Sequence, residues 1–155
     1  MQAAFQDLMA RQRTGALASL SNHGWPWLAM TPFAIDTEAG QFIIHISELA
    51  AHTRYLLQRP QASFMVCTSE TPGEPVHALP RASFQVGAIH PERGSASWAT
   101  ARDCYLQRFP DVAFMVDFTD FHFFRLGVQR ARLVTGFGAA KTISVEQVRQ
   151  WLQQP

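Results

Sequence analysis

The chain has 155 residues, 47% of them hydrophobic, and a formal net charge of +1, which fits one domain with a sizeable core. Its positive charge is almost all arginine, spread from Arg11 to Arg149 with Lys141 the single lysine, so no basic tail or stripe marks a nucleic-acid or membrane partner. Cys67 and Cys104 lack a CxxC or Cys/His spacing, which argues against a disulfide framework or a zinc site and suits a reducing cytoplasm. The N-terminus has no apolar signal core, and no run reaches the roughly 18 apolar residues of a spanning helix. A soluble, cytoplasmic, single-domain protein spanning 1–155 is the expectation.

Phe5, Leu8 and Met9 recur at helical spacing, predicting a short helix over residues 3–12. Residues 16–21 and 25–35 read as strands joined by SNHG, a tight hairpin turn, with Pro26 and Pro32 placing the second strand at an edge, bulge or end. DTEAG turns the chain into a third strand over 41–46. A helix over 48–58 follows, with Ser47 as its N-cap. Residues 62–68 and 81–89 give two more strands around the turn-rich loop SETPGEPVHALP. Trp98, Ala101, Tyr105 and Leu106 mark a helix before Pro110, and residues 121–134 make a long sixth strand that Gly127 is expected to bend or bulge. Ser144 and Gln147 form a capping-box pattern ahead of a terminal helix. Hairpin-connected strands with inserted helices predict a mainly β, α+β fold, a six-stranded antiparallel split β-barrel.

On a helical wheel Leu49, His52, Thr53 and Leu56 share one face, with Arg54 on its flank. A buried imidazole and hydroxyl need partners, since an unsatisfied group costs about 1–3 kcal/mol. Backbone groups could supply them. The adjacent guanidinium favours a bound phosphate, because all three groups can donate to its oxygens. GFGAAK lacks the last glycine of the dinucleotide fingerprint, and there is no G-x-S-x-G elbow. Asp117 and Asp120 read as turn caps. His23, His77 and His90 fall in loops, His45 and His122 in strands.

The segments FIIHISELAAHTRYLLQRPQASF, LPRASFQVG and FTDFHFFRLGVQRARLVTGFG, in that order, resemble the FMN-binding split-barrel superfamily, the fold of pyridoxamine 5′-phosphate oxidase, in its haem-utilisation-like branch. The resemblance covers about residues 14–140. It implies a homodimer binding FMN and acting as a flavin-dependent oxidoreductase on a small molecule. Leu28, Ala29, Met30 and Thr31 would line the isoalloxazine, and Ile46 and Ser47 would touch flavin or ribityl. His52, Thr53 and Arg54 would hold the phosphate, with Arg81 leading a strand beside the cofactor. Ala82 stands where the oxidase has glutamine and the arginine-rich C-terminal segment is absent, which speaks against vitamin B6 oxidation. The alternative is a haem-binding, haem-utilisation protein or a non-catalytic flavin module. The C-terminal iron-ligating histidine of the haem relatives is missing, since no histidine follows His122. No catalytic acid or base and no metal ligand is nominated. Aromatic residues on both faces of 121–124 add a second argument for a dimer: Phe121 and Phe123 point one way, His122 and Phe124 the other, and a single barrel covers one face.

Overall fold

The computed structural model describes residues 1–154. A helix, α1 (Gln2–Arg11), leads into β1 (Thr14–Leu20), β2 (Pro26–Pro32), β3 (Ala34–Asp36) and β4 (Gln41–Ser47). Then come α2 (Ala51–Gln58), β5 (Gln61–Cys67), β6 (Arg81–Ile89) and α3 (Ala96–Arg108). The chain ends with β7 (Phe121–Val134), β8 (Ala140–Ile143) and α4 (Val145–Gln153). All strands join one antiparallel sheet in the order β2-β1-β5-β6-β7-β4-β3, with β8 added to β7. The sheet curls so that β2 approaches β4. This is the split-barrel fold. Among the described residues its strands number eight where the sequence pattern gives six. Phe33, whose N–H is taken by the Arg13 carbonyl, divides the 25–35 run into β2 and β3, and the short β8 has too few residues to show a period.

The barrel interior is aromatic. Phe33, Phe42, Phe64 and Phe84 pack with ring centroids 5.0–5.7 Å apart, and Phe5 of α1 and Trp151 of α4 close one side. A second cluster lies outside the sheet, where Ala101, Tyr105 and Phe109 at the end of α3 cover Ile43 of β4 and Phe123 of β7. Ser95 caps α3 by accepting the Trp98 N–H. Ser144 does the same for α4 through the Gln147 N–H, as the sequence predicts.

Two expectations are corrected here. The irregularity in β7 falls at Gln129: Gln85 pairs with Arg130 and Val86 with Val128, so Gln129 is the unmatched residue while Gly127 stays paired with Gly87. The second face of 121–124 is covered by the chain itself, since Trp98 and Tyr105 of α3 meet Phe123 edge-on and Phe124 is sealed in the barrel core. The aromatic strand therefore gives no argument for a dimer.

Candidate functional site

The segment SELAAHTR opens with a turn, not a helix. Ser47 ends β4 and its Oγ accepts the Leu49 N–H at 3.2 Å, so it caps a tight turn; the helix starts three residues later than expected, with Ala50 as an N-cap that has no side-chain bond. Leu49 consequently leaves the buried face and is 86% exposed, whereas Thr53 and Leu56 stay buried and His52 is half-buried. Burial lowers the His52 pKa, favouring the neutral ring. The Thr53 Oγ1 is enclosed without a hydrogen-bond partner. Arg54 is exposed, and its Nη1 turns back to donate to the carbonyls of Glu48 at 3.3 Å and Leu49 at 3.4 Å. The three neighbours thus face three environments: interior, boundary and solvent.

On β2 the alternation of the strand decides placement. Leu28 and Met30 point outward, each 68% exposed, while Ala29 is half-buried and Thr31 is buried with an unpartnered Oγ1. Ile46 is in the barrel core. β2, β4 and α2 are neighbours, so Leu28 to Thr31, Ile46, Ser47 and His52 to Arg54 share one region of the molecule. Arg81 does not. Its register partner on β7 is Val134, whereas that of Ser47 is Phe121, at the opposite end of the strand. Its Nη1 donates to the carbonyls of Leu79 at 3.0 Å and His77 at 3.4 Å, holding the loop before β6.

The sequence gives no sign of a polar chain at the Ser47 end of the barrel. The Glu48 Oε1 lies 2.6 Å from the His122 Nε2, and the His122 Nδ1 lies 3.0 Å from the His90 Nε2. A carboxylate can only accept, so the His122 Nε2 donates to Glu48, and the His122 Nδ1 and His90 Nε2 share one hydrogen bond. The His90 Nδ1 makes no hydrogen bond among the described residues. His90 stacks on Phe124 with centroids 5.0 Å apart. Burial, then His122 and Arg93, lower its pKa and keep the ring neutral. Arg93 fixes the adjoining loop by donating to the Phe118 and Phe121 carbonyls, both at 2.9 Å. These residues are 32 and 74 positions apart, and the β6–β7 and β4–β7 registers together unite them. No local spacing could have revealed the contact.

His45 is a different kind of histidine. It is buried against Phe123, Phe121 and Tyr105, with both ring nitrogens unpartnered. Burial, followed by the positive fields of Arg93 and His122, lowers its pKa to about 4. It is a neutral core residue, closed to any ligand. Among the described residues no cluster of three or more histidine, cysteine or acidic side chains is arranged to hold a metal ion.

A family description of the CREG β-barrel matches residues 3–152. The chain belongs to the CREG β-barrel family. The chain is 30% identical over 140 residues to a protein of Vibrio cholerae named heme oxygenase HutZ, covering 90% of this chain and 78% of HutZ. The crystal structure of HutZ, described as a heme storage protein, superposes with a TM-score of 0.75 at 27% identity, covering 82% of this chain and 89% of that one. A heme-binding protein from Mycobacterium smegmatis gives a TM-score of 0.84 at 26% identity over 96% of this chain, which spans only 59% of the mycobacterial chain. A pyridoxamine 5′-phosphate oxidase-like protein from Listeria innocua, at 12% identity and a TM-score of 0.66 over 86% of this chain and 98% of its own, shares the fold. The haem-utilisation-like branch of the split barrels is thus where this CREG-type chain stands.

Proposed function

We propose that this protein binds haem, as a homodimer in the cytoplasm. The observation that carries the reading is the likeness to HutZ, which runs through nine-tenths of the chain rather than a single motif. Haem needs a nitrogen or sulfur ligand to iron, apolar surface for the porphyrin and cations near its carboxylates. The chain offers each of these. His90 and His52 are imidazoles with at least one ring nitrogen outside any hydrogen bond among the described residues, and Leu49, Ile89, Phe114 and Phe118 are large apolar side chains left at the surface. Arg54 and Arg59 are exposed cations on α2 and at its end. Bound haem would supply redox-active iron; the protein's part is to hold the ring, ligate the metal and exclude water.

The dimer is supported by the outer face of the sheet. Met30, Ala16 and Met65 are register partners across β2, β1 and β5, and Leu28 lies beside them. Exposed apolar side chains in a contiguous row mark an association surface more often than a solvated one.

Titrating the purified protein with ferric haem tests the proposal. A Soret shift saturating at one haem per chain or per dimer is the expected result, and a spectrum equal to that of free haem rejects it. Bleaching of that band with reductant and oxygen would add turnover to binding. The same preparation tests FMN with small-molecule oxidoreductase activity, a second reading that rests on the unpartnered Thr31 and Thr53 hydroxyls beside β2 and α2. FMN fluorescence quenched more strongly than that of riboflavin is its signature.

A further inference from the structure

We propose that the cavity between α1, β3, α3 and α4 binds a small monocarboxylate with an apolar body, and that the Arg108 guanidinium holds the carboxylate. The proposal stands apart from the haem reading and uses none of its residues.

The cavity has a volume of about 430 Å³, within the range of small-molecule sites. Its walls are mostly apolar: Phe5 and Met9 of α1, Ile35 of β3, and Trp151 and Leu152 of α4. The elements around it are tied together by side chains. The Gln6 Nε2 donates to the Gln154 carbonyl at 2.8 Å, joining α1 to the end of α4, and the Gln153 Nε2 donates to the Glu38 carbonyl at 2.9 Å, joining α4 to the turn after β3. Arg108 of α3 clasps α1, its Nη2 donating to the carbonyls of Met9 at 3.1 Å and Gln12. The space is therefore framed on every side by fixed structure.

The clasp occupies one nitrogen of the guanidinium. The Nε–H and both Nη1 hydrogens make no hydrogen bond among the described residues, and no carboxylate there lies within ion-pair distance. Arg108 is half-buried and its guanidinium lies over the Phe33 ring, 4.9 Å from the centroid. Burial, then the positive field of Arg13, lowers its pKa, as happens when a cation leaves water without meeting an anion. Arg13 itself is exposed and stacks on Phe109 at 4.8 Å.

These features select the ligand's chemistry. A purely apolar molecule would strip water from the unpartnered N–H groups and give nothing back. A phosphate dianion would face one fixed guanidinium among neutral Gln6, Gln107 and Thr37, with apolar walls where its remaining oxygens need donors. A carboxylate matches the single positive charge and accepts from more than one N–H, while an alkyl or aromatic body buries against Phe5, Met9 and Trp151.

The test uses the whole chain labelled with ¹³C at its methionine methyl groups, with decanoate as probe below its micellar concentration and decanol as the same chain without the charge. Met9 lines the cavity, whereas Met30 and Met65 lie on the outer face of the sheet and report any detergent-like binding; Met9→Leu assigns the Met9 signal. Decanoate should shift the Met9 signal saturably and leave Met30 and Met65 in place, and decanol should bind at least about tenfold more weakly. Arg108→Gln keeps a donor for the α1 carbonyls and removes the charge. It should weaken decanoate by about tenfold or more and leave decanol unchanged, a split that a merely structural role would not produce. Ala10 is an exposed part of the lining, so Ala10→Trp fills the space without touching the core and should abolish binding of both probes. Circular dichroism establishes that each variant folds. A Met9 signal that decanoate leaves unmoved, equal affinity for decanoate and decanol, or a folded Arg108→Gln or Ala10→Trp protein with wild-type affinity overturns the proposal. Haem takes no part in these measurements, so the haem reading stands or falls separately.

Discussion

Asp36 and Arg125 form an ion pair sealed from water: the Nη1–Oδ2 distance is 2.7 Å and the side chains are 5% and 7% exposed. Arg125 also donates to the Ser97 carbonyl at 2.9 Å, so this one guanidinium ties β3 and β7 to the start of α3. Burial alone would raise the Asp36 pKa, but the bond and charge of Arg125 and the N–H groups of Ala39 and Glu38 outweigh it and hold the carboxyl below its ordinary value. Arg125→Met leaves a buried carboxylate unpaired and should cost about 3–5 kcal/mol, read as a fall in urea midpoint. The lowered carboxyl pKa means that the pair's contribution is complete above the unfolded value of 3.8 and is lost only as pH falls through the lower native value. An Arg125→Met protein as stable as the wild type would refute this.

His45 sets a separate acid limit. With a native pKa of about 4 against 6.5 when unfolded, the unfolded chain takes up the proton first. Stability should therefore decline from pH 6.5 to about 4 and level off below, by about 3 kcal/mol from this residue. His45→Phe removes the titration and keeps the aromatic packing. Its urea midpoint should change less between pH 7 and pH 5 than that of the wild type, and equal slopes would exclude the assignment.

Gly15 has its only available side-chain direction filled by Phe64. A Cβ there would stand 2.2 Å from the Phe64 Cζ, and Phe64 is itself wedged between Phe33 and Phe42. Gly15→Ala should destabilise by about 1–3 kcal/mol through overpacking. Thermal unfolding measures it; an unchanged midpoint means that the aromatic cluster has slack.

The proposed dimer makes its own prediction. Met30→Asp places a charge in the middle of the exposed row on the outer face and should give a folded monomer by light scattering at micromolar concentration. A variant that remains dimeric moves the interface elsewhere.

Much of the fold is visible in the sequence because barrel strands alternate. Phe42, Ile44 and Ile46 announce one face of β4, and Pro26 and Pro32 mark β2 as an edge, where the structure puts it. The start of α2 is hidden because Ser47 has two uses, and its hydroxyl capping a turn looks identical in sequence to one capping a helix. The cover over Phe123 is hidden for another reason: whether a face is bare depends on where α3 folds back, which no local period encodes. The region of β2, β4 and α2 is legible as a unit, yet Arg81 is placed at the far end of β7 by register alone. The link between His90 and His122 is a product of strand pairing and has no local signature.

The prolines that bound β2 at both ends restrict how copies of this protein can meet. Each lacks an amide hydrogen, so the free margin of the sheet offers an incoming strand an interrupted set of donors where a continuous ladder would need them. Edge-to-edge polymerisation, the hazard of any open sheet, is thereby discouraged. The proposed dimer instead uses the broad outer surface, where Leu28 and Met30 would pack face to face and close a pair that does not propagate.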